Sequence, residues 1–226
     1  MARRIRRWIA AASILIGIVL VIALSGLPYL PLVHGSDADE VRQLVEWLEI
    51  ESGDRVADIG AGDGYYAFAL AERVGADGHV YATEIDPDRL EEMRDASARR
   101  GFDNVTVVEG AVAATNLPDD CCDAVYSRNV YHHLTEPAAI NADIRRALRP
   151  GGRLLVIDFE PGGTLDRIAP RETGARHGGH GTPKQTVVDE VTRAGFRLVR
   201  GPEDWRGRLY AVLFETPAGP EADDQR

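Results

Sequence analysis

Lysine is almost absent from this 226-residue chain. Lys184 is the only lysine among its 26 basic residues. Basic patches are scarce as well. Four arginines precede Trp8, and the other 22 basic residues are spread among 36 acidic ones. Proteins that bind DNA or RNA neutralise phosphates with a basic patch or stripe. The acidic body of the chain therefore argues against a nucleic-acid partner.

Cysteine is equally scarce, and its two occurrences, Cys121 and Cys122, are adjacent. Neighbouring cysteines rarely bond to each other, because the resulting geometry is strained. A pair of thiols that handles arsenic or a metal is one alternative. We expect instead a buried apolar pair at the start of a strand, with no disulfide.

Charged residues are missing altogether from Trp8 to Ser36. The central 20 residues, 8–27, are apolar, and as a helix at about 1.5 Å per residue they match the roughly 30 Å of a bilayer's hydrocarbon. The arginines before them place the N-terminus in the cytoplasm. We therefore predict that residues 1–35 are a basic segment and a transmembrane signal anchor of a single-pass membrane protein, with the domain outside the cytoplasm.

A cleaved secretory signal peptide is the alternative for the same segment. Ala23 and Ser25 are small enough for cleavage after Ser25, which would export the rest of the chain. The apolar character continues to Val33, however, and this continuation favours an uncleaved anchor.

Helices and strands alternate behind the anchor. A first helix, capped by Ser36 or Asp37, ends before Gly53. Apolar runs predict seven strands, and the segments between them have helical periodicity. The strands are expected at 55–59, 80–84, 105–108, 123–127, 153–159, 197–200 and 208–215. This rhythm predicts an α/β, Rossmann-like fold with a seven-stranded, mostly parallel sheet and helices on both faces. The domain is expected at residues 36–216, with a disordered tail at 217–226.

Three glycines follow the first strand in Val56–Tyr66, VADIGAGDGYY. Glycine after a strand lets backbone N–H groups and a helix N-terminus approach a ligand. The spacing Gly-x-Gly-x-Gly differs from the dinucleotide fingerprint Gly-x-Gly-x-x-Gly. The flanking carboxylates of Asp58 and Asp63 would repel a pyrophosphate but suit a ligand that bears a sulfonium and an ammonium.

This segment resembles the first motif of class I S-adenosylmethionine-dependent methyltransferases, and the resemblance extends over about residues 38–215. It implies that Asp58 helps to hold the methionine amino group of S-adenosylmethionine. It also implies that the turn residues let the backbone approach the cofactor; these are Gly60, Ala61, Gly62 and Gly64.

Later motifs agree in order. In VYATEID, the resemblance implies that Glu84 binds both ribose hydroxyls and that Ile85 lies against the adenine. In CCDAVYSRNVYHHL, it places Asn129 near the methionine end, and ALRPGGRLLVIDF resembles the fifth-strand motif.

One departure concerns the adenine. Many members of the family carry an acid after the third strand that binds the adenine amino group, but VVEGAVAATNLP has Ala111 at that position. Three explanations are open: the backbone around Gly110–Val112 serves the adenine, the affinity is reduced, or the pocket no longer takes this cofactor.

Candidate catalytic residues follow the fourth strand. Methyl transfer mainly requires alignment of two partners, and a base is needed only when the acceptor is protonated. Tyr131, His132 and His133 lie where an acceptor should meet the methyl group, although one histidine could equally pack in the interior and the other face solvent. His180 is a further candidate, in a long loop at 161–183 that the resemblance suggests covers the acceptor. The loop's two histidines, His177 and His180, are too few for a metal site.

The leading hypothesis is therefore a membrane-anchored methyltransferase that acts on a small-molecule or lipid-like acceptor. The tyrosine–histidine stretch also resembles a subgroup of membrane-anchored or exported methyltransferase-like proteins. A non-catalytic binding protein with the same fold is the alternative, and a dinucleotide oxidoreductase is a more distant one.

Overall fold

The structure, a computed structural model, describes residues 34–162 and 181–218. Contacts divide the chain into the units Met1–Glu40 and Val41–Arg226, and the second unit contains the whole sheet. The predicted anchor, the 163–180 part of the predicted loop with His180, and most of the predicted tail lie outside the described residues. Within the described ranges, no helix combines the length and apolarity that crossing a membrane requires.

The described chain alternates helices and strands as predicted. The helices are α1 (His34–Leu48), α2 (Tyr65–Val74), α3 (Pro87–Arg100), α4 (Pro137–Ala147) and α5 (Lys184–Arg193), with a short 3₁₀ turn at Tyr131–His133. The strands are β1 (Arg55–Ile59), β2 (His79–Glu84), β3 (Val105–Glu109), β4 (Cys122–Arg128), β5 (Leu148–Phe159), β6 (Arg197–Asp204) and β7 (Leu209–Glu215).

The seven strands form one sheet in the order β3-β2-β1-β4-β5-β7-β6. The first five strands run parallel, and β7 is antiparallel to both β5 and β6. Two apolar cores lie against the sheet, one on each face. Alternate residues of β5 divide between them: Leu155 and Ile157 belong to one core, and Leu154 and Val156 to the other. The predicted mostly parallel sheet with helices on both faces is confirmed.

Two local predictions are wrong. The first helix begins at His34, so Ser36 and Asp37 lie inside it and neither is its N-cap. Asp37 occupies the first turn, where a carboxylate interacts favourably with the helix dipole. Strand β5 begins at Leu148, and not after the Pro-Gly-Gly sequence, because Leu148 already pairs with Cys122.

The cysteine pair is buried at the start of β4, as expected, but Cys121 and Cys122 are bonded in a disulfide, so that part of the prediction is wrong. Regular strand geometry would point successive side chains to opposite faces of the sheet. Here the chain turns at Asp120 (φ +47°), and the pairing of β4 with β5 shifts register between Cys122 and Ala124. This irregular backbone brings the two sulfurs together.

Candidate cofactor-binding and active site

The glycine turn after β1 requires glycine at two of its positions for steric reasons. Gly60, Gly62 and Gly64 have φ values of +73°, +59° and +81°, which side chains disfavour. A Cβ atom on Gly60 would lie 2.5 Å from a methyl carbon of Val130, and one on Gly64 would lie 2.8 Å from the Phe68 ring. The turn is also tied to β2, because the N–H groups of residues 60 and 61 both donate to the Thr83 carbonyl.

The Glu84 carboxylate at the end of β2 is held in place by three backbone N–H groups. Its Oε2 accepts a hydrogen bond from the Gly62 N–H at 3.0 Å. Its Oε1 accepts from the N–H groups of Ile85 at 2.7 Å and Asp86 at 3.1 Å. A carboxylate oxygen can accept two hydrogen bonds, so Oε2 retains capacity for a ligand hydroxyl.

A cavity of about 560 Å³ lies at the carboxyl ends of β1, β2 and β4, within the range of small-ligand sites. Ile85 and Val112 line it with 62% and 61% of their surfaces exposed. Large aliphatic side chains left this open in a concave site favour a flat apolar ligand group between them. Their placement fits an adenine ring, as the resemblance implies for Ile85.

Eight of the fourteen predicted site residues line this cavity. They are Gly60, Gly62, Glu84, Ile85, Gly110, Ala111, Asn129 and His133. Five others, Asp58, Ala61, Gly64, Tyr131 and His132, do not line it, and the last, His180, lies outside the described residues. The sequence analysis considered only the backbone of Val112 and missed its side chain; it also missed Arg89, which lines the cavity.

Asp58 is buried in β1, on the face of the sheet that carries Tyr126. Burial raises the pKa of its carboxyl to about 7, against a lowering effect of the Tyr126 hydroxyl; the charge of Glu84 adds to the rise. The Arg128 guanidinium, 5.0 Å from the centre of the Tyr66 ring, lowers the pKa slightly. Asp58 is therefore buried and does not line the cavity, so any contact of its carboxylate with a ligand would need an intermediary such as water.

Asn129 presents an acceptor that lacks a partner among the described residues. It follows β4 in a left-handed conformation (φ +57°), and its N–H donates to the Ile157 carbonyl at 2.8 Å. Its side-chain Oδ1 is buried without a hydrogen-bond partner in the part of the chain that the structure describes. A buried unpaired acceptor beside a cavity fits a ligand donor such as an ammonium group.

The backbone after β3, where the adenine is expected, already uses its first two N–H donors within the chain. The Gly110 N–H donates to the Glu84 carbonyl at 2.8 Å, and the Ala111 N–H donates to the Ala114 carbonyl at 2.7 Å. An adenine amino group is itself a donor and requires an acceptor. At position 111 that acceptor could only be a backbone carbonyl, because the alanine side chain has no acceptor atom.

Tyr131 ties three elements together. Its hydroxyl donates to the Glu190 carboxylate on α5 at 3.1 Å and accepts from the Asn141 side-chain amide on α4 at 2.8 Å. Burial raises its pKa above the ordinary value. These hydrogen bonds give Tyr131 a structural role, which accounts for the residue without a catalytic one.

The two histidines of the 3₁₀ turn have different surroundings. His133 lines the cavity, and burial lowers its pKa, with a further lowering by His132. His132 is 5% exposed, and its Nδ1 lies 2.8 Å from Oδ1 of the buried Asp158. Asp158 is a further residue that the sequence analysis missed, although an acid at the end of the most apolar strand is an unusual feature that could have indicated it.

A family model described as a methyltransferase domain matches residues 50–187. Protein-L-isoaspartate O-methyltransferase of Aeropyrum pernix is 32% identical over 187 residues, covering 80% of this chain and 67% of that protein. Arsenite methyltransferase of Halobacterium salinarum is 28% identical over 137 residues, covering 55% of this chain and 35% of that protein. For the first four curated relatives the matched share of their own length ranges from 35% to 56%.

Solved structures share the fold. A SAM-dependent methyltransferase from Aquifex aeolicus superimposes with a TM-score of 0.65 at 23% identity, covering 77% of this chain and 88% of that chain. The [4+2]-cyclase SpnF has the same TM-score at 16% identity, covering 79% and 81%. The predictions of a methyltransferase and of S-adenosylmethionine as its cofactor are confirmed at the level of the family. The chain belongs to the methyltransferase-domain family, within the class I S-adenosylmethionine-dependent enzymes.

Proposed function

We propose that this protein transfers the methyl group of S-adenosylmethionine to a small-molecule or lipid-like acceptor, and that residues 1–35 hold it at a membrane. The observation that carries the proposal is the cavity beside the glycine turn. It combines the fixed Glu84 carboxylate with exposed aliphatic residues, Ile85 and Val112, on its walls.

The charges around the cavity support a cationic cofactor. Glu84 lines the cavity, and Asp63 lies within the glycine turn, between Gly62 and Gly64. Such a group of carboxylates disfavours a pyrophosphate and favours a ligand with positive charge. When bound, S-adenosylmethionine supplies a methyl group on a positively charged sulfur, which the lone pair of an acceptor can displace.

Within the cavity, Oε2 of Glu84 would accept a hydrogen bond from a ribose hydroxyl, and Ile85 and Val112 would enclose the adenine. The unpaired Oδ1 of Asn129 would accept a hydrogen bond from the methionine ammonium. His133 would then lie on the acceptor side, where its lowered pKa keeps the imidazole neutral near pH 7.

Some of the relatives and the N-terminal segment support a small or lipid-like acceptor, whereas three other curated relatives are named protein-L-isoaspartate O-methyltransferases. Several curated relatives are named ubiquinone/menaquinone biosynthesis C-methyltransferases, and another is named for arsenite. The apolar segment at 8–27 would hold the domain beside hydrophobic molecules in a bilayer.

Incubation with methyl-labelled S-adenosylmethionine tests the activity. The full chain, in mild-detergent micelles, would be given a lipid extract and a water-soluble metabolite extract separately, with Glu84→Ala as the matched inactive control. We expect label in one extract with the wild type and none with the variant. A protein that binds the cofactor but labels neither extract would favour the non-catalytic alternative, in which the fold only binds a ligand.

Membrane topology needs its own experiment. A reporter that is active only outside the cytoplasm, fused after Arg226, should be active and should sediment with membranes. An inactive reporter would contradict the proposed orientation. An active reporter that is released as a shortened soluble protein would favour the signal peptide cleaved after Ser25.

A further inference from the structure

We propose that Arg89 is a second ribose-binding residue of the cofactor cavity. Its guanidinium donates a hydrogen bond to one ribose hydroxyl of S-adenosylmethionine, while Glu84 accepts a hydrogen bond from the other. Together the two side chains make the cavity specific for a ligand with two neighbouring hydroxyls. The inference rests on the proposed function and adds to it the residue that completes recognition of the sugar.

The hydrogen-bonding capacity of Glu84 is almost used up within the chain. A carboxylate offers about four lone-pair positions, two on each oxygen. Oε1 accepts two backbone N–H groups and Oε2 accepts one, so a single position is left on Oε2. A ribose presents two hydroxyls, and each can both donate and accept. One hydroxyl can therefore donate to Glu84, and the other needs a different partner.

The Arg89 guanidinium lies beside that free position. Arg89 is in the first turn of α3 and lines the same cavity as Glu84. A Cβ atom on Gly62 would lie 3.4 Å from its Nη1, which places the guanidinium next to the Gly62 backbone. The N–H of the same glycine donates to Oε2 of Glu84. The guanidinium and Oε2 thus border one residue, in the part of the cavity assigned to the ribose.

The Arg89 side chain has no hydrogen-bond or ion-pair partner in the part of the chain that the structure describes. Asp86 and Glu92 are each three residues away, a spacing that allows ion pairs on a helix, but neither pairs with it. Glu84 does not pair with it either, although both border Gly62. Two opposite charges that line one cavity without pairing leave room between them for a ligand group that contacts both.

The chemistry of a guanidinium restricts what it can contact. Arginine has five N–H donors and no acceptor, and it stays charged at any ordinary pH. It therefore requires a lone pair, which a ribose hydroxyl supplies even while that hydroxyl donates elsewhere. A role through charge alone would have the opposite effect, because a guanidinium repels the sulfonium and ammonium of the cofactor. The direction in which affinity changes when Arg89 is replaced distinguishes the two roles.

Calorimetric titration of the full chain in mild-detergent micelles measures that direction. The ligands are S-adenosylmethionine and S-adenosylhomocysteine, which has the same ribose but lacks the methyl group and the sulfonium charge. Arg89→Met removes the donors and keeps an unbranched apolar stem. We expect the Kd to rise about 10-fold for both ligands, because both lose the same charge-assisted hydrogen bond. Arg94→Met, on the same helix but outside the cavity, should leave both Kd values unchanged.

The 2′-deoxy and 3′-deoxy forms of S-adenosylhomocysteine identify the contacted group. In the wild type each deletion should raise the Kd about 10-fold, because each hydroxyl has one charged partner. In Arg89→Met one deletion should cost less than about 2-fold, because its partner is already missing, and the other should still cost about 10-fold. Glu84→Ala should show the reverse pattern. Such coupling between a residue and a ligand group is what a double-mutant cycle measures.

The outcomes separate this inference from the proposed function. A wild type that binds neither S-adenosylmethionine nor S-adenosylhomocysteine removes the proposed function itself. When the wild type binds, three results overturn the inference alone. Arg89→Met binds as tightly as the wild type or more tightly; its Kd rises for only one of the two ligands; or each hydroxyl deletion costs it the same as it costs the wild type.

A folding control keeps the test decisive. Thermal unfolding of Arg89→Met should match that of the wild type, because the side chain is exposed and has no partner in the described residues. If this variant does not fold, Arg89→Ala decides by the same criteria.

Discussion

The raised pKa of Asp58 predicts that the protein loses stability as the pH rises from about 4 to about 7. The carboxyl has its ordinary pKa of 3.8 in the unfolded chain and a pKa of about 7 in the folded one. Between these values the folded protein holds a proton that the unfolded chain has lost. The free energy of unfolding therefore falls over this range, and the penalty is complete above the folded pKa.

The size of the penalty follows from the difference between the two pKa values. About three units at about 1.4 kcal/mol each give an upper limit of about 4 kcal/mol. Asp58 is only 3% exposed, so solvent screens little of this effect. Asp58→Asn removes the titrating group and should raise the free energy of unfolding at pH 8 by up to about 4 kcal/mol, with little change at pH 4.

Urea denaturation of the full chain in mild detergent, at pH 4 and pH 8, measures the difference. Asp63→Asn, which removes an exposed carboxylate from the same turn, is the control and should change stability by less than about 1 kcal/mol at either pH. An Asp58→Asn variant that is no more stable than wild type at pH 8, or that differs from it equally at both pH values, would refute the reasoning.

Three further predictions concern the turn, the buried tyrosine and the disulfide. Gly60→Ala should weaken S-adenosylmethionine binding at least about 10-fold and cost about 2–4 kcal/mol in thermal unfolding, because strain and a clash combine. Gly53→Ala, which has a positive φ but open space around it, should cost only about 1 kcal/mol. Tyr131→Phe should cost about 1–3 kcal/mol through its buried hydrogen bonds and leave cofactor affinity unchanged in calorimetry; a lost affinity would make it part of the site. Replacing Cys121 and Cys122 by serine should leave cofactor affinity unchanged, because the pair lies at the opposite end of β4 from the cavity, and an altered affinity would contradict this placement.

The strands and helices were largely predictable because the pattern of apolar residues is strong. β1 matches its predicted bounds, and β2 and β3 each differ from theirs by one residue. The glycine turn and Glu84 were predictable because both depend on local sequence at the end of a strand.

Contacts between distant parts of the chain were not predictable. Asp158 is 26 residues from His132, and only the register of β4 with β5 brings them together. The disulfide lies beside a register shift between β4 and β5 that no local pattern indicates. Asp58 is buried and does not line the cavity. The sequence of β1 alone does not show which face of the sheet the Asp58 side chain occupies.

Calorimetric titration of the full chain with S-adenosylmethionine tests the central claim most directly. The account predicts saturable binding by the wild type and by Glu109→Ala, which removes the corresponding exposed carboxylate at the end of β3. It predicts affinity at least about 10-fold lower in Glu84→Ala, since the charge-assisted hydrogen bond between Oε2 and a ribose hydroxyl would be lost. Equal affinity in the wild type and Glu84→Ala, or no binding by the wild type, would contradict the account.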